Sequence, residues 1–171
     1  MHALLGSLAL AALLLSAVAS PLTHVTSKER RARLLEARRG LGLIGFGIAF
    51  IHATSSLLHV HATSFTSVWN RLHSLGYMQH GALALVVLFA LTLTSFPRLN
   101  AKLGLRTWAA LHRLAYVALL LAALHALEAP NMNPRVALAA FALSIAVVLA
   151  RVGLALHRRL RPKRAEDAPT A

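Results

Sequence analysis

Histidine is the residue type through which this chain could do chemistry. There are ten, against five Asp and Glu in total and no cysteine. Without cysteine there is no disulfide, thiolate metal site or thiol redox centre, so redox chemistry would need a bound group. His52, His112 and His125 lie inside long apolar stretches, and His59 follows His52 by seven residues. An ionisable side chain within sequence of membrane-spanning character is costly and marks a functional site. Neutral imidazole is the commonest metal ligand, and haem iron is held by axial side chains projecting from helices into a bundle core. For each of these histidines alone, the competing reading is an imidazole hydrogen-bonded to a neighbouring helix. His2, His24, His73 and His157 read as interfacial or solvated, and His61 and His80 stand at the ends of apolar segments.

Spacing narrows the chemistry. On an ideal helix His52 and His59 fall within about 20° of one face and about 10 Å apart in height. His112 and His125 are separated by about 19 Å and about 140°, so they share a neighbour only if their helix is distorted. That separation suits two levels in a membrane better than a catalytic zinc site, which wants three nearby ligands.

The elements that must position these side chains follow from composition. The 171 residues are 57% hydrophobic and 13% charged, with a net charge of +13. A soluble domain carries about 25% charged residues, and a nucleic-acid binder spreads its cations over an exposed face. Here residues 40–70 and 72–97 hold no Asp, Glu, Lys or Arg. Five apolar segments, at about 3–19, 41–62, 78–96, 108–127 and 136–156, are each near the length of a membrane span. In lipid the backbone must satisfy its own hydrogen bonds, so the expectation is an all-α integral membrane bundle of about five transmembrane helices. Pro21, Pro97, Pro130 and Pro134 punctuate the breaks.

Cations sort into alternate loops. Lys28 to Arg39, the stretch Arg98 to Arg106, and Arg158 to Arg164 are rich in them, whereas the other two loops hold only Arg71 and Arg135. The positive-inside rule then predicts an inner (cytoplasmic) membrane protein, N-terminus out and C-terminus in, with cations anchored at the lipid headgroups and no call for nucleic acid. Residues 1–160 are expected to form the membrane domain and 161–171 a polar cytoplasmic tail. Ala17-Val18-Ala19 resembles a signal-peptidase site. The region before it has no Lys or Arg, and cleavage would leave Lys28–Arg39 at a translocated end, so the first segment is expected to be retained.

Several stretches carry a family resemblance: Arg38-Arg39-Gly40-Leu41-Gly42-Leu43 with Phe46 and Phe50-Ile51-His52; Leu91-Thr92-Leu93-Thr94-Ser95; and Leu103-Gly104, Trp108, Leu111-His112-Arg113-Leu114-Ala115-Tyr116 and Leu124-His125. In this order they resemble the ferric reductase-like transmembrane domain, and within it the haem-binding membrane subunits of periplasmic methionine sulfoxide reductase systems. Gly6 to Leu22 and Tyr77 to Gly81 resemble the helix before the haem helices and the entry to the next. Those subunits usually carry one more N-terminal helix.

The resemblance implies a membrane b-type cytochrome with one or two haems. It assigns His52, His112 and His125 as axial ligands, His52 with His125 on one haem and His112 at a second or alternative site towards the cytoplasm. Counting from the middle of 41–62 and 108–127 instead puts His125 level with His59, which keeps His59 open as a partner. Arg113, with Arg106 and Arg39, could pair with haem propionates at the inner rim. The short polar tail has no room for a flavin or nicotinamide domain, so FAD or FMN would enter only through a partner. Electrons would come from quinol or a separate flavoprotein and leave to an acceptor on the outer side, such as a periplasmic reductase. Two other readings compete: a metal or proton transporter using His52, His59 and His112 as stations, which the lack of carboxylates within the spans disfavours, and a structural anchor with incidental histidines.

Overall fold

In a computed structural model, which describes residues 2–23, 26–61 and 64–160, every regular element is a helix. They are α1 (His2–Leu22), α2 (Lys28–His61), α3 (Phe65–Ser74), α4 (Gly76–Thr94), α5 (Pro97–Leu103), α6 (Leu105–Leu111), α7 (Leu114–Glu128) and α8 (Pro134–Leu160). Five stretches are long and apolar enough to cross a membrane: 3–22, 28–58, 76–94, 105–128 and 134–158. The fourth combines α6 and α7. The protein is a multi-pass membrane helix bundle, as its sequence predicts. The expected tail, residues 161–171, and His24 lie outside the described residues, as do the side chains of His2, His59 and His61.

Small residues hold the bundle together. α1 and α2 form an antiparallel hairpin in which a Cβ at Gly45 would come within 3.0 Å of Leu13 Cδ2. Lipid tails are as apolar as leucine, so membrane helices associate through close backbone approach and packing rather than through hydrophobic expulsion. The Ser16 hydroxyl donates across the same seam to the Arg38 carbonyl at 2.8 Å. α7 lies at the centre, packed against α1, α4 and α8. Its Ala118, Leu119 and Ala123 are buried with Leu10, Leu13 and Leu14 of α1 and Leu88 of α4. Large apolar side chains such as Leu4, Ile44, Phe89, Leu138 and Leu149 point outward, where a bilayer rather than water receives them.

Two departures from the apolar pattern matter for the site. α2 starts at Lys28, well before its apolar residues begin, because Arg, Glu, Leu and Ala are all good helix formers and nothing breaks the run. The fourth span is interrupted at His112-Arg113, where Arg113 N bonds the Ala110 carbonyl and Tyr116 N the Arg113 carbonyl, both three residues back. Tightened turns of this kind wind each residue by about 20° more than an α-helix does.

The end of α4 is tied down by side chains. The Arg39 guanidinium donates to the Ser95 carbonyl at 2.9 Å, and the Trp108 indole N–H donates to the Thr94 carbonyl at 3.1 Å. Carbonyls at a helix C-terminus have no partner within their own helix and carry its negative dipole end, so an arginine suits the position.

Candidate functional site: a histidine pair facing an apolar cavity

His52 of α2 and His125 of α7 come together, with ring centroids 6.2 Å apart and planes inclined at 66°. Measured from the middle of spans 28–58 and 105–128, both stand about nine residues towards the same membrane face. The depth count from the sequence levelled His125 with His59 because it took α2 to begin where its apolar residues begin. The helix continues through the basic cluster, which moves its midpoint back and brings His52 level.

Each ring rests on a glycine. A Cβ at Gly81 of α4 would lie 2.8 Å from His125 Nδ1, and one at Gly6 of α1 would lie 3.4 Å from His52 Cε1. Four helices therefore build the pair: two carry the imidazoles and two give up a side chain to admit them. His125 Nδ1–H donates to the Tyr77 carbonyl at 2.6 Å. A carbonyl only accepts, so Nδ1 carries the proton and Nε2 keeps its lone pair. Ring orientation and tautomer are commonly set this way at metal-ligating histidines.

The pair borders a cavity of about 430 Å³ lined mainly by apolar side chains of α1, α2, α4 and α7, with Arg71 of α3 as the one charged lining residue among the described residues. Pockets of about 300–1,000 Å³ suit cofactors. Two imidazoles on opposite faces of one metal place their ring centroids about 6 Å apart, given metal–nitrogen bonds of roughly 2 Å. The observed spacing, the locked tautomer and the apolar walls fit a bis-histidine haem. Among the described residues no three of His, Asp or Glu converge, so a zinc site has no ligand set there.

The remaining sequence candidates lie elsewhere. The His112 ring packs against Trp108, centroids 4.2 Å apart and planes tilted by 36°, with Nε2 3.5 Å from the Thr94 hydroxyl. The tightened turns at 112–113 rotate it relative to His125 from the ideal-helix offset, yet it does not line the cavity. Arg113 and Arg106 are exposed, Arg39 is engaged at the end of α4, and none of the three borders the cavity. Glu128, the one carboxylate near His125 in sequence, pairs instead with His80, Nδ1 to Oε2 2.9 Å. His73 bonds its own helix at the Trp69 carbonyl.

His52, Gly6 and Gly81 fall within a stretch with known relatives, and His125 stands two residues beyond its end. Residues 4–123 match the ferric reductase like transmembrane component family. The chain belongs to that family. This family member is also similar to proteins named protein-methionine-sulfoxide reductase heme-binding subunit MsrQ. Over 147 residues it is 35% identical to the one from Cronobacter sakazakii, covering 85% of this chain and 70% of the relative. It is 37% identical over 121 residues to that of an Enterobacter species, covering 70% and 59%, and 30% identical over 159 residues to that of Brucella ovis, covering 93% and 70%.

Geometry adds residues to this family member's candidate site that residue types alone do not flag. Gly6 and Gly81 make room for the rings, the Tyr77 carbonyl fixes one of them, and Arg71 reaches the cavity. A glycine in an apolar helix has several readings, and a backbone carbonyl has no sequence signature.

Proposed function

We propose that the chain is a membrane electron-transfer subunit in which His52 and His125 hold haem b between them. The observation that carries this is the 6.2 Å pairing of the two imidazoles, with His125 Nδ1 committed to the Tyr77 carbonyl. The haem would supply a one-electron couple buried in the bilayer. The protein's part is to present two neutral imidazoles, keep their planes inclined, exclude water with apolar walls, and set the donor strength of His125 through the Tyr77 carbonyl.

By the positive-inside rule this reading is of an inner (cytoplasmic) membrane protein, with the His52–His125 level near the outer face and His112 towards the inner one. Electrons then enter from quinol or a cytoplasmic flavoprotein, which would contribute any FAD or FMN, and leave at the outer end. The likeness to methionine sulfoxide reductase subunits supports a reductase on the outer side as acceptor. His112 is the ligand available for a second haem, at the inner level, so a chain with one haem uses the cavity pair alone.

The test is a dithionite-reduced minus oxidised spectrum of the purified full-length protein, with haem counted per chain. Bands of b-type haem that vanish in both His52→Ala and His125→Ala are expected. Full haem content in either variant would refute the pairing. If wild type binds two haems and His112→Ala binds one, the second site is at His112. Metal uptake by a haem-free protein would favour the transporter reading instead.

A further inference from the structure

We propose that Arg71 receives the carboxylates of the haem at the outer end of the cavity, an inference that rests on the His52–His125 reading above. Haem is amphiphilic, an apolar macrocycle bearing two carboxylates on one edge. The cavity has matching chemistry, with mainly apolar walls and, among the described residues, a single charged lining residue, Arg71. Arg71 lies in the last turn of α3, a helix capped at its start by the Ser64 hydroxyl accepting from Ser67 N. The guanidinium is thus mounted on a regular element rather than on a loop.

Three observations single it out among the arginines. Arg71 is one of only two Lys or Arg in the loops that the positive-inside rule assigns to the outer face, and the other, Arg135, does not line the cavity. A cation there works against the orientation signal, so its position calls for a partner. Among the described residues the one ion pair is His80–Glu128, so no carboxylate of the described residues neutralises Arg71. The inner arginines are either off the cavity or engaged elsewhere, Arg39 at the Ser95 carbonyl and Arg38 with the Ser20 hydroxyl at 3.4 Å. A guanidinium matches a carboxylate with two parallel hydrogen bonds, and an arginine in this place would orient the macrocycle with its acidic edge outward.

The experiment uses full-length protein in detergent, stripped of haem and titrated with haem b or with haem dimethyl ester, which lacks the negative charges. Haem is expected to bind wild type about tenfold more tightly than the ester, the scale of a partly exposed charge-assisted hydrogen bond. Arg71→Gln should abolish that discrimination, leaving ester binding unchanged and lowering the midpoint potential of the bound haem. Arg71→Lys should restore part of it, and Arg135→Gln should behave as wild type. If Arg71→Gln weakens haem and ester equally, or changes neither, the proposal fails. Haem uptake that requires His52 and His125 but is indifferent to Arg71 overturns this inference alone, whereas no uptake by wild type overturns the histidine pairing as well.

Discussion

At the scale of single residues, the site depends as much on side chains that are missing as on those present. The ring of His125 occupies the space a methyl group at Gly81 would need. Gly81→Ala should therefore displace the imidazole and lower haem occupancy at least severalfold. Gly153→Ala, on α8 with nothing within 4 Å of the added carbon, should leave occupancy unchanged and stabilise its helix by up to about 1 kcal/mol. Haem content and melting temperature, measured on both variants, check the pair of expectations. Equal occupancy in the two would mean that the glycine contact does not position the ligand. Glu128 belongs to a different category. Its contact with His80 is partly exposed, where ion pairs contribute about 0–1 kcal/mol, so Glu128→Gln should keep the haem and shift the melting temperature little.

At the scale of elements, α4 is held by other helices at both of its ends. Its first turn supplies the Tyr77 carbonyl to His125, its second turn supplies Gly81, and its last carbonyls are held by Arg39 and Trp108. Sliding α4 along α7 would break contacts at both ends together. Trp108→Phe keeps the ring beside His112 but removes the donor to Thr94, and should cost about 1 kcal/mol. Amide exchange in residues 91–95 should rise in that variant while Ala118, Leu119 and Ala123, buried at the centre of the bundle, stay protected. Unchanged exchange near Thr94 would show that the indole N–H adds nothing to the end of α4.

At the scale of the whole molecule, α1 is a wall of the cavity. Leu10, Leu13 and Leu14 belong to the central packing cluster and Gly6 faces His52. Removal of residues 1–22 should therefore abolish haem binding even if the remaining chain still inserts. Intact-mass measurement of the mature protein should find residue 6 present, and a mature chain beginning near Ser20 would contradict the retained helix. Orientation has its own check. Alkaline phosphatase fused after residue 64 or 131 should be active, and fused after residue 100 or 160 inactive; the opposite pattern would invert the assignment of inside and outside.

Sequence alone determined that this is a helical membrane protein, because uncharged stretches of spanning length leave the backbone few other ways to bond itself. It singled out histidine as the chemistry-bearing residue, since an imidazole is conspicuous in apolar segments that hold no carboxylate. The places where it went astray or stayed silent share one cause: they depend on what lies across the gap between helices. Apolar boundaries could not show that α2 continues back to Lys28, and that extension sets which histidine of α2 stands level with His125. Nor could ideal helical periodicity register the tightened turns at His112-Arg113. Partners such as the Tyr77 carbonyl, Gly6, Gly81 and Arg71 come from helices far apart in the chain. Only the packing of α1, α2, α4 and α7 against one another brings them to a single cavity, because close helix contact is decided by the shapes of both surfaces together.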